Sequence, residues 1–227
     1  MRKQMLNFMW LLIGVSLISI GIALMNKSGL GQTAYSGLAT TIGLVTHIKS
    51  GTVLIIFNMS CVIGQIVFLG KAFHKLQWLQ VIVAYLSGLM VNFWIYDFSL
   101  TSTYIPGNYL TQWVLTILGI IVISIGVAIV MASETIKMPL EAFVLVISER
   151  IKRPFAQLRT LVDVISIILG LFLILIFHLG FETLREGTWI SLVLLGSSMG
   201  ITFPLAQKVL SLSHRMLDPQ DIQGAHK

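Results

Sequence analysis

Polar side chains inside long apolar segments are the residues of this sequence that could do chemistry. Asn58 lies within the apolar run "IIFNMSCVIG", and Asp163 lies within "LVDVISIILG". A polar group is expensive to place in hydrocarbon, so such residues usually face the interior of a helix bundle and mark a binding site or a pathway. Both are therefore candidates for binding a solute. For Asp163, a local ion pair with Arg159, one helical turn earlier, is the alternative.

Three further polar residues are candidates of the same kind. Asn92 lies well inside another apolar segment, where a hydrogen bond between helices is the alternative to solute binding. Gln32 and Glu141 lie at the start of two short segments of mixed polarity. We expect them near the two mouths of a central cavity that Asn58 and Asp163 share. Two carboxylates at membrane depth would favour a cationic or polar solute, or proton coupling.

The sequence carries no motif of an enzyme or of a metal or nucleotide site. It has no HExxH pair, no phosphate-binding loop and no nucleophile elbow. Cys61 is the single cysteine, so neither an internal disulfide nor a cysteine metal cluster can form. The sequence therefore predicts no catalytic activity, no cofactor and no bound metal.

The composition indicates that these residues belong to a membrane protein. The chain is 56% hydrophobic and 11% charged, with a mean hydropathy of +0.91, whereas soluble domains carry about 25% charged residues. The formal net charge of +6 comes from basic residues that flank the apolar runs. This distribution is typical of membrane orientation rather than nucleic-acid binding. We expect a lipid bilayer as the environment and a single transmembrane domain over residues 1–227.

Six segments are long and apolar enough to cross the bilayer, since a helical span needs about 20 such residues. They lie at about 7–26, 52–70, 78–97, 112–132, 160–179 and 188–208. Two shorter segments, 33–48 and 138–149, are each predicted to form a short helix. Such a helix either lies at the membrane interface or dips into the membrane. The predicted fold class is an all-α integral membrane protein with six spans and a short tail over 209–227.

The Lys and Arg residues predict how the spans are oriented. With a cytoplasmic N-terminus, three of the 15 basic residues lie outside, namely Lys27, Lys49 and Arg185. The other twelve then lie on the cytoplasmic side: Arg2, Lys3, Lys71, Lys75, Lys137, Arg150, Lys152, Arg153, Arg159, Lys208, Arg215 and Lys227. Because cytoplasmic loops are enriched in Lys and Arg, both termini are expected in the cytoplasm.

An apolar phrase occurs twice and predicts an internal repeat. "LISIGIALM" and "VISIGVAIVM" align without gaps when Gly14 is set against Gly119. The same offset of 105 residues sets Asn58 against Asp163. Two of the polar candidates are therefore at equivalent positions of the predicted repeat.

The predicted halves cover about residues 7–97 and 112–208. Each half holds three spans, so the second half would enter the membrane from the opposite face, giving a 3+3 inverted repeat. This plan is common among small transporters. Small residues let helices approach closely in lipid, and we expect helix contacts at Gly14, Gly21, Gly119, Gly126, Gly196 and Gly200.

Two stretches carry a resemblance to a known group of proteins. At "MNKSGLGQTAYSGL" and "EGTWISLVLLGSSMG" the chain resembles the bacterial YczE/YitT-like integral membrane proteins. The resemblance implies a multi-span protein of the bacterial plasma membrane and covers most of the chain. It implies no substrate, and it carries over only the turn at residues 29–31 and the helix start at residues 187–188. That family often has an acidic residue after the first turn, where this sequence has Gln32-Thr33.

Three functions remain open from the sequence. The first is a small transporter or permease for a small polar or cationic solute. The second is a substrate-binding subunit like the six-helix S-components of vitamin importers, which would work with partner subunits. The third is a membrane scaffold or modulator, which would have no central polar cavity. A homodimer or a partner membrane subunit is compatible with each of these functions.

Overall fold

The computed structural model describes residues 2–133 and 136–217, and the regular structure within these ranges is helical. The helices are α1 (Arg2–Ser28), α2 (Ala34–Thr46), α3 (Ser50–Leu69), α4 (Leu79–Asn92), α5 (Ser99–Ser102), α6 (Tyr109–Ala132), α7 (Pro139–Ile151), α8 (Phe155–Ile176) and α9 (Glu186–Leu217). Six segments are long and apolar enough to cross a membrane: Met5–Ser28, Ser50–Ala72, Leu76–Asp97, Tyr109–Ala132, Phe155–Ile176 and Phe181–Ser213. The prediction of an all-α membrane protein with six spans is confirmed.

The last helix extends further than the predicted span. α9 continues through Pro204 to Leu217, so the predicted tail over 209–227 begins inside a helix, and residues 218–227 lie outside the described residues. The apolar pattern indicates where lipid ends, whereas hydrogen bonding decides where a helix ends. The fifth span, in contrast, begins earlier than expected, at Phe155, directly after Pro154, a residue favoured at helix starts.

The two short segments form helices α2 and α7, each of 13 residues. At about 1.5 Å per residue each is about 20 Å long, too short to cross a hydrocarbon core of about 30 Å. Each ends on a residue in the left-handed conformation, His47 (φ 58°) and Lys152 (φ 54°). α2 packs against α3 and α8, and α7 packs against α8 and α3. Both short helices are thus held against spans of each predicted half.

The turn between α1 and α2 depends on glycine. Gly29 and Gly31 have φ values of +68° and +100°, which residues with a Cβ rarely adopt. A Cβ on Gly31 would also lie 2.5 Å from Thr188 Oγ1. The backbone N–H of Gln32 then donates to the Thr183 carbonyl at 3.1 Å. The turn is therefore fixed against the start of α9.

The core of the bundle is the contact between α1 and α6. A Cβ on Gly14 would lie 2.8 Å from the carbonyl oxygen of Gly126, and one on Gly21 would lie 2.7 Å from that of Gly119. The two helices run antiparallel and touch backbone to backbone at these points. Close approach of this kind is how helices associate in lipid, where apolar burial alone gives little driving force.

The glycines of α9 are in a different environment. No atom lies within 4 Å of the position that a Cβ would take on Gly196 or Gly200. Within the described part of the chain these two glycines therefore pack against no other helix. Gly196 instead lines an internal cavity.

Candidate functional site

A cavity of about 520 Å³ lies inside the bundle and is lined by residues of α1–α4 and α6–α9. Most of its wall is apolar. Its polar lining residues are Ser19, Thr33, Tyr35, Ser36, Asn58, Ser87, Lys137, Glu141, Arg159, Thr160, Asp163 and Ser191. The cavity therefore combines an apolar wall with a small polar region, the pattern typical of sites for small molecules.

The first turns of both short helices reach this cavity. Residues 33–36 of α2 line it from one side, and Met138, Leu140 and Glu141 of α7 line it as well. Pro139 occupies the first turn of α7, where its fixed φ favours helix initiation. Glu141 lies in the same turn, where a carboxylate interacts favourably with the positive end of the helix dipole.

Asn58 meets α2 at the cavity wall. It is 6% exposed, and its Oδ1 accepts a hydrogen bond of 3.4 Å from the Tyr35 hydroxyl. The Tyr35 ring lies against the Phe57 ring, with centroids 5.5 Å apart. The amide and the phenol thus form one polar group at the junction of α2 and α3.

Asp163 and Arg159 form an ion pair within α8. The guanidinium donates to the Asp163 carboxylate one helical turn away, and the side chains are 23% and 19% exposed. Both residues also line the cavity. The sequence left two alternatives for Asp163, a local ion pair or a place at a cavity. In the structure both are found together.

Glu141 differs from Asp163 because no described residue donates a hydrogen bond to its carboxylate, although Arg159 is near enough to interact with it electrostatically. It is partly buried and lines the cavity, but no residue of the described ranges forms a hydrogen bond or an ion pair with its carboxylate. Lys137, the other cation of the lining, is exposed. The cavity lining thus holds two carboxylates and two cations, and Glu141 is the carboxylate to which no described residue donates a hydrogen bond.

Gln32 and Asn92 do not line this cavity in the described part of the chain. The Gln32 amide exchanges hydrogen bonds of 3.1 and 3.3 Å with Thr40. Asn92 accepts from the Gly51 N–H at 2.9 Å and donates to Thr52 at 3.1 Å. Gln32 holds the α1–α2 turn against α2, and Asn92 joins α4 to α3. Of the five candidates, the cavity brings together Asn58, Glu141 and Asp163.

Sequence reasoning missed Tyr35 and saw Arg159 only as a partner of Asp163. Tyr35 lies on the apolar side of the α2 pattern, but it is the second residue of that helix, so its hydroxyl reaches the cavity. A signal was present, because residues that follow a Gly-x-Gly turn and begin a short helix often lie at a site. Ser191 and Lys137, which also line the cavity, carried no such signal.

A second cavity of about 530 Å³ lies next to the first. The two share Val130, Met131, Lys137 and Leu145 in their linings. The second is also lined by residues from the end of α3 and the start of α4, including Gln65 and Gln80. Residues of α6 and α7 therefore separate two neighbouring cavities. Across the described ranges, no group of three or more His, Cys, Asp and Glu residues is placed to hold a metal ion.

Comparisons with known proteins find relatives without an assigned activity. A model described as "Family of unknown function (DUF6198)" matches residues 5–204. The chain is also 25% identical over 173 residues to an uncharacterized protein, YyaS, of Bacillus subtilis (strain 168), covering 73% of this chain and 80% of that protein. No solved structure matches. Neither match names the YczE/YitT-like group, so that narrower resemblance is not confirmed.

Proposed function

The chain belongs to the DUF6198 family of unknown function, and we propose that it is a small secondary carrier for a polar or cationic solute. The observation that carries this proposal is the convergence of Asn58, Glu141 and Asp163 on one cavity. Polar groups at membrane depth are retained where they bind a solute or an ion. We expect no catalytic activity and no cofactor.

The contact between α1 and α6 supports a 3+3 inverted repeat. The offset of 105 residues pairs Gly14 with Gly119 and Gly21 with Gly126. Gly14 touches Gly126, the equivalent of Gly21, and Gly21 touches Gly119, the equivalent of Gly14. Reciprocal contact of this kind is what a two-fold axis between two like units requires. Carriers built in this way bind their solute where the two repeats meet.

The short helices support the same repeat. α2 and α7 have equal lengths, and their left-handed end residues, His47 and Lys152, are also 105 residues apart. In each helix the N–H of that end residue bonds to an equivalent carbonyl, that of Gly43 in α2 and that of Ser148 in α7. Agreement in length, backbone conformation and hydrogen bonding is stronger support than apolar similarity alone.

The depth of the two equivalent polar residues fits a central binding site. Asn58 follows the start of α3 at Ser50, and Asp163 follows the start of α8 at Phe155, each by eight residues. At 1.5 Å per residue each is about 12 Å from the start of its span. If the halves enter from opposite faces, both residues lie near the midplane of a core about 30 Å thick.

The charge of the cavity favours a cation. The Arg159 guanidinium donates its hydrogen bond to Asp163, so the Glu141 carboxylate is free to accept one from a positive group of the solute. Proton coupling of transport is compatible with this proposal. Asn58 and Tyr35 can complete the site with neutral hydrogen-bonding groups.

We further propose a bacterial plasma membrane location with both termini in the cytoplasm, on the basis of the bias in Lys and Arg. A homodimer or a partner membrane subunit is compatible with this arrangement. Cysteines introduced at Lys152 and at Thr103, both exposed, should react with an impermeant thiol reagent from opposite sides of the membrane. Reaction of both from one side would contradict the orientation.

Access to the cavity from both sides tests the carrier function without a known solute. Ser87 is buried and lines the cavity, so Ser87→Cys in a Cys61→Ala background is a small change. A carrier exposes the site alternately, so an impermeant thiol reagent should label this cysteine in both right-side-out and inside-out vesicles. The matched control is Ser166→Cys, which is buried but outside the cavity lining, and it should resist labelling from either side.

The same measurement separates the alternatives. Labelling of Ser87→Cys from the outer side alone would indicate a substrate-binding subunit that needs partners to release its solute. Absence of labelling from both sides would indicate a scaffold or modulator. Either result would contradict the carrier proposal.

A further inference from the structure

We propose that the solute is an organic cation with an apolar body, and that it reaches the cavity from within the bilayer, between α8 and α9. This inference rests on the proposed function and names the chemical class of the solute. Three observations carry it: the clustering of the charged lining residues on one side of the cavity, the Glu141 carboxylate to which no described residue donates a hydrogen bond, and the sparse contact between α8 and α9.

The charged lining residues are confined to one side of the cavity. They are on α7, α8 and the segment that precedes α7: Lys137, Glu141, Arg159 and Asp163. Aliphatic side chains of α1, α6 and α9, helices that carry no charged lining residue, form much of the apolar wall, including Ile18, Ile22, Ile123, Val127, Leu192 and Leu195. A small hydrated cation would have to give up hydration water beside this wall. The aliphatic side chains offer no hydrogen bonds in its place, so this desolvation is costly. A cation with an apolar body would instead bury that body against the aliphatic residues.

The size and charge of the cavity fit such a molecule. Pockets of about 300–1,000 Å³ hold drug-sized ligands, and this cavity has a volume of about 520 Å³. The Glu141 carboxylate would face the positive group of the solute. An apolar anion of the same shape would place its negative charge beside the Glu141 carboxylate and should be excluded.

The lining reaches the gap between α8 and α9. Ala156, Thr160 and Asp163 of α8 line the cavity from one side, and Ser191 and Gly196 of α9 line it from the other. In the described part of the chain α8 and α9 hardly touch each other. Because both are membrane spans by length and composition, a gap between them opens toward lipid. Molecules that combine a charge with an apolar body collect at the membrane interface, so a side opening suits them.

Three probes of known chemistry test the solute class. Purified full-length protein in lipid nanodiscs would be assayed for equilibrium binding of radiolabelled tetraphenylphosphonium. The competitors are tetraphenylborate, which has the same shape and the opposite charge, and tetramethylammonium, which has the charge without the apolar body. We expect saturable binding of tetraphenylphosphonium, no competition by tetraphenylborate and only weak competition by tetramethylammonium.

Two carboxylate variants test whether Glu141 binds the positive group of the solute. Glu141→Gln keeps the shape of the side chain and should weaken tetraphenylphosphonium binding about tenfold or more, because loss of one partner of a desolvated charge pair has at least that effect. Glu182→Gln changes an exposed carboxylate outside the cavity lining and should leave binding unchanged. Size-exclusion profiles of both variants would verify that they are folded.

Two glycine variants test the route. Gly196→Trp would place an indole at the opening, and it should slow tetraphenylphosphonium association while leaving the folded protein intact, since no atom lies near Gly196. Gly200→Trp, one turn later, has equally open surroundings but lies outside the cavity lining. It should leave the association rate unchanged. Equal rates in the two variants would overturn the route between α8 and α9.

The outcomes separate this inference from the carrier proposal. If tetramethylammonium binds as tightly as tetraphenylphosphonium and both need Glu141, the solute is a small polar cation; the carrier proposal then stands and this inference fails. If tetraphenylborate competes at the same concentrations, the binding is unspecific apolar contact. That result would also overturn the inference. The carrier proposal itself fails only if the cavity is closed to labelling from one or both sides.

Discussion

The pair of helices α3 and α4 and the pair α8 and α9 are counterparts in the proposed repeat, yet they differ in how they pack. α3 and α4 are in close contact, whereas α8 and α9 hardly touch each other and both line the cavity. One half is thus closed and the other open. The charged residues of the cavity belong to the open half, so the proposed site lies in the half whose last two helices are not closely packed.

Glycines account for much of the difference. A Cβ on Gly51 would lie 2.1 Å from the carbonyl oxygen of Gly88, and one on Gly88 would lie 2.4 Å from that of Gly51. α3 and α4 can therefore touch only because both residues lack a side chain. The residues 105 positions later are Ala156 and Val193. Side chains at both positions prevent the same approach of α8 and α9.

Buried amides add to the contact in the closed half. Gln65 and Gln80 exchange hydrogen bonds of 2.9 and 3.3 Å, and Gln65 also donates to the Pro139 carbonyl at 3.1 Å. The positions 105 residues after the two glutamines hold Gly170 and Arg185, so the open half has no equivalent amide pair. Close backbone contact and satisfied amides thus both stabilise the packing of α3 against α4.

The largest effect on stability is expected from Gly51→Ala, which introduces the residue found at the equivalent position of the open half. The added methyl group would collide with the Gly88 carbonyl and push α3 from α4. Overpacking of this kind costs about 1–3 kcal/mol, and a loss of 3 kcal/mol would lower the melting temperature in detergent by about 6–12 °C.

The matched control for that variant is Gly200→Ala. Gly200 has no neighbouring atom within 4 Å, and alanine favours helix over glycine by about 1 kcal/mol, so its melting temperature should be unchanged or slightly higher. Equal melting temperatures for Gly51→Ala and Gly200→Ala would show that α3 and α4 are not in backbone contact.

The amide pair should give the next largest effect. Gln80→Leu removes a partner of Gln65 in a buried site, and an unsatisfied buried polar group costs about 1–3 kcal/mol. The double variant Gln65→Leu/Gln80→Leu removes both amides and should recover part of this loss, leaving only the Pro139 carbonyl without its donor. A double-mutant cycle on thermal unfolding measures the coupling, and strictly additive losses would contradict a direct bond.

The ion pair of the open half should matter mainly for binding. Each single substitution removes one charge of a mostly buried pair, so the charge left behind should also cost some stability. Asp163→Asn removes a negative charge from the cavity, whereas Arg159→Ala removes the positive one. Tetraphenylphosphonium should therefore bind more weakly to the first variant and more tightly to the second. A change of the same sign in both would point to structural damage instead.

The smallest effect is expected where α9 meets α6. Ser124 and Thr202 share a hydrogen bond of 2.9 Å, and such bonds between helices in membranes average about 0.6 kcal/mol. Thr202→Val should lower the melting temperature by about 1–3 °C. Ser197→Ala, which loses only a bond to its own helix, serves as the control and should show no change. A large loss in Thr202→Val would mean that α9 depends on this single bond, in contrast to the glycine contacts of α1.

Sequence reasoning found most of the fold and part of the site. The six spans and the two short helices followed from apolar length and from turn residues, and Asn58, Glu141 and Asp163 were singled out and do line one cavity. Asn92 and Gln32 were candidates for the same reasons, but their hydrogen bonds hold helices together. A buried amide has the same sequence signature in both roles, because only its neighbours decide which role it has.

The sequence by itself determined how many times the chain crosses the membrane and where it turns. Apolar length and the conformational freedom of residues such as Gly29 and Gly31 act locally. Spans and turns can therefore be predicted from residues that are adjacent in the chain. The tertiary structure alone decided which helices touch. Gly51 and Gly88 are far apart in the chain, and their backbones meet only when both lack a Cβ, while the equivalent Ala156 and Val193 leave α8 and α9 apart. Close packing of two helices therefore depends on distances between residues remote in the chain, which apolar patterns do not specify.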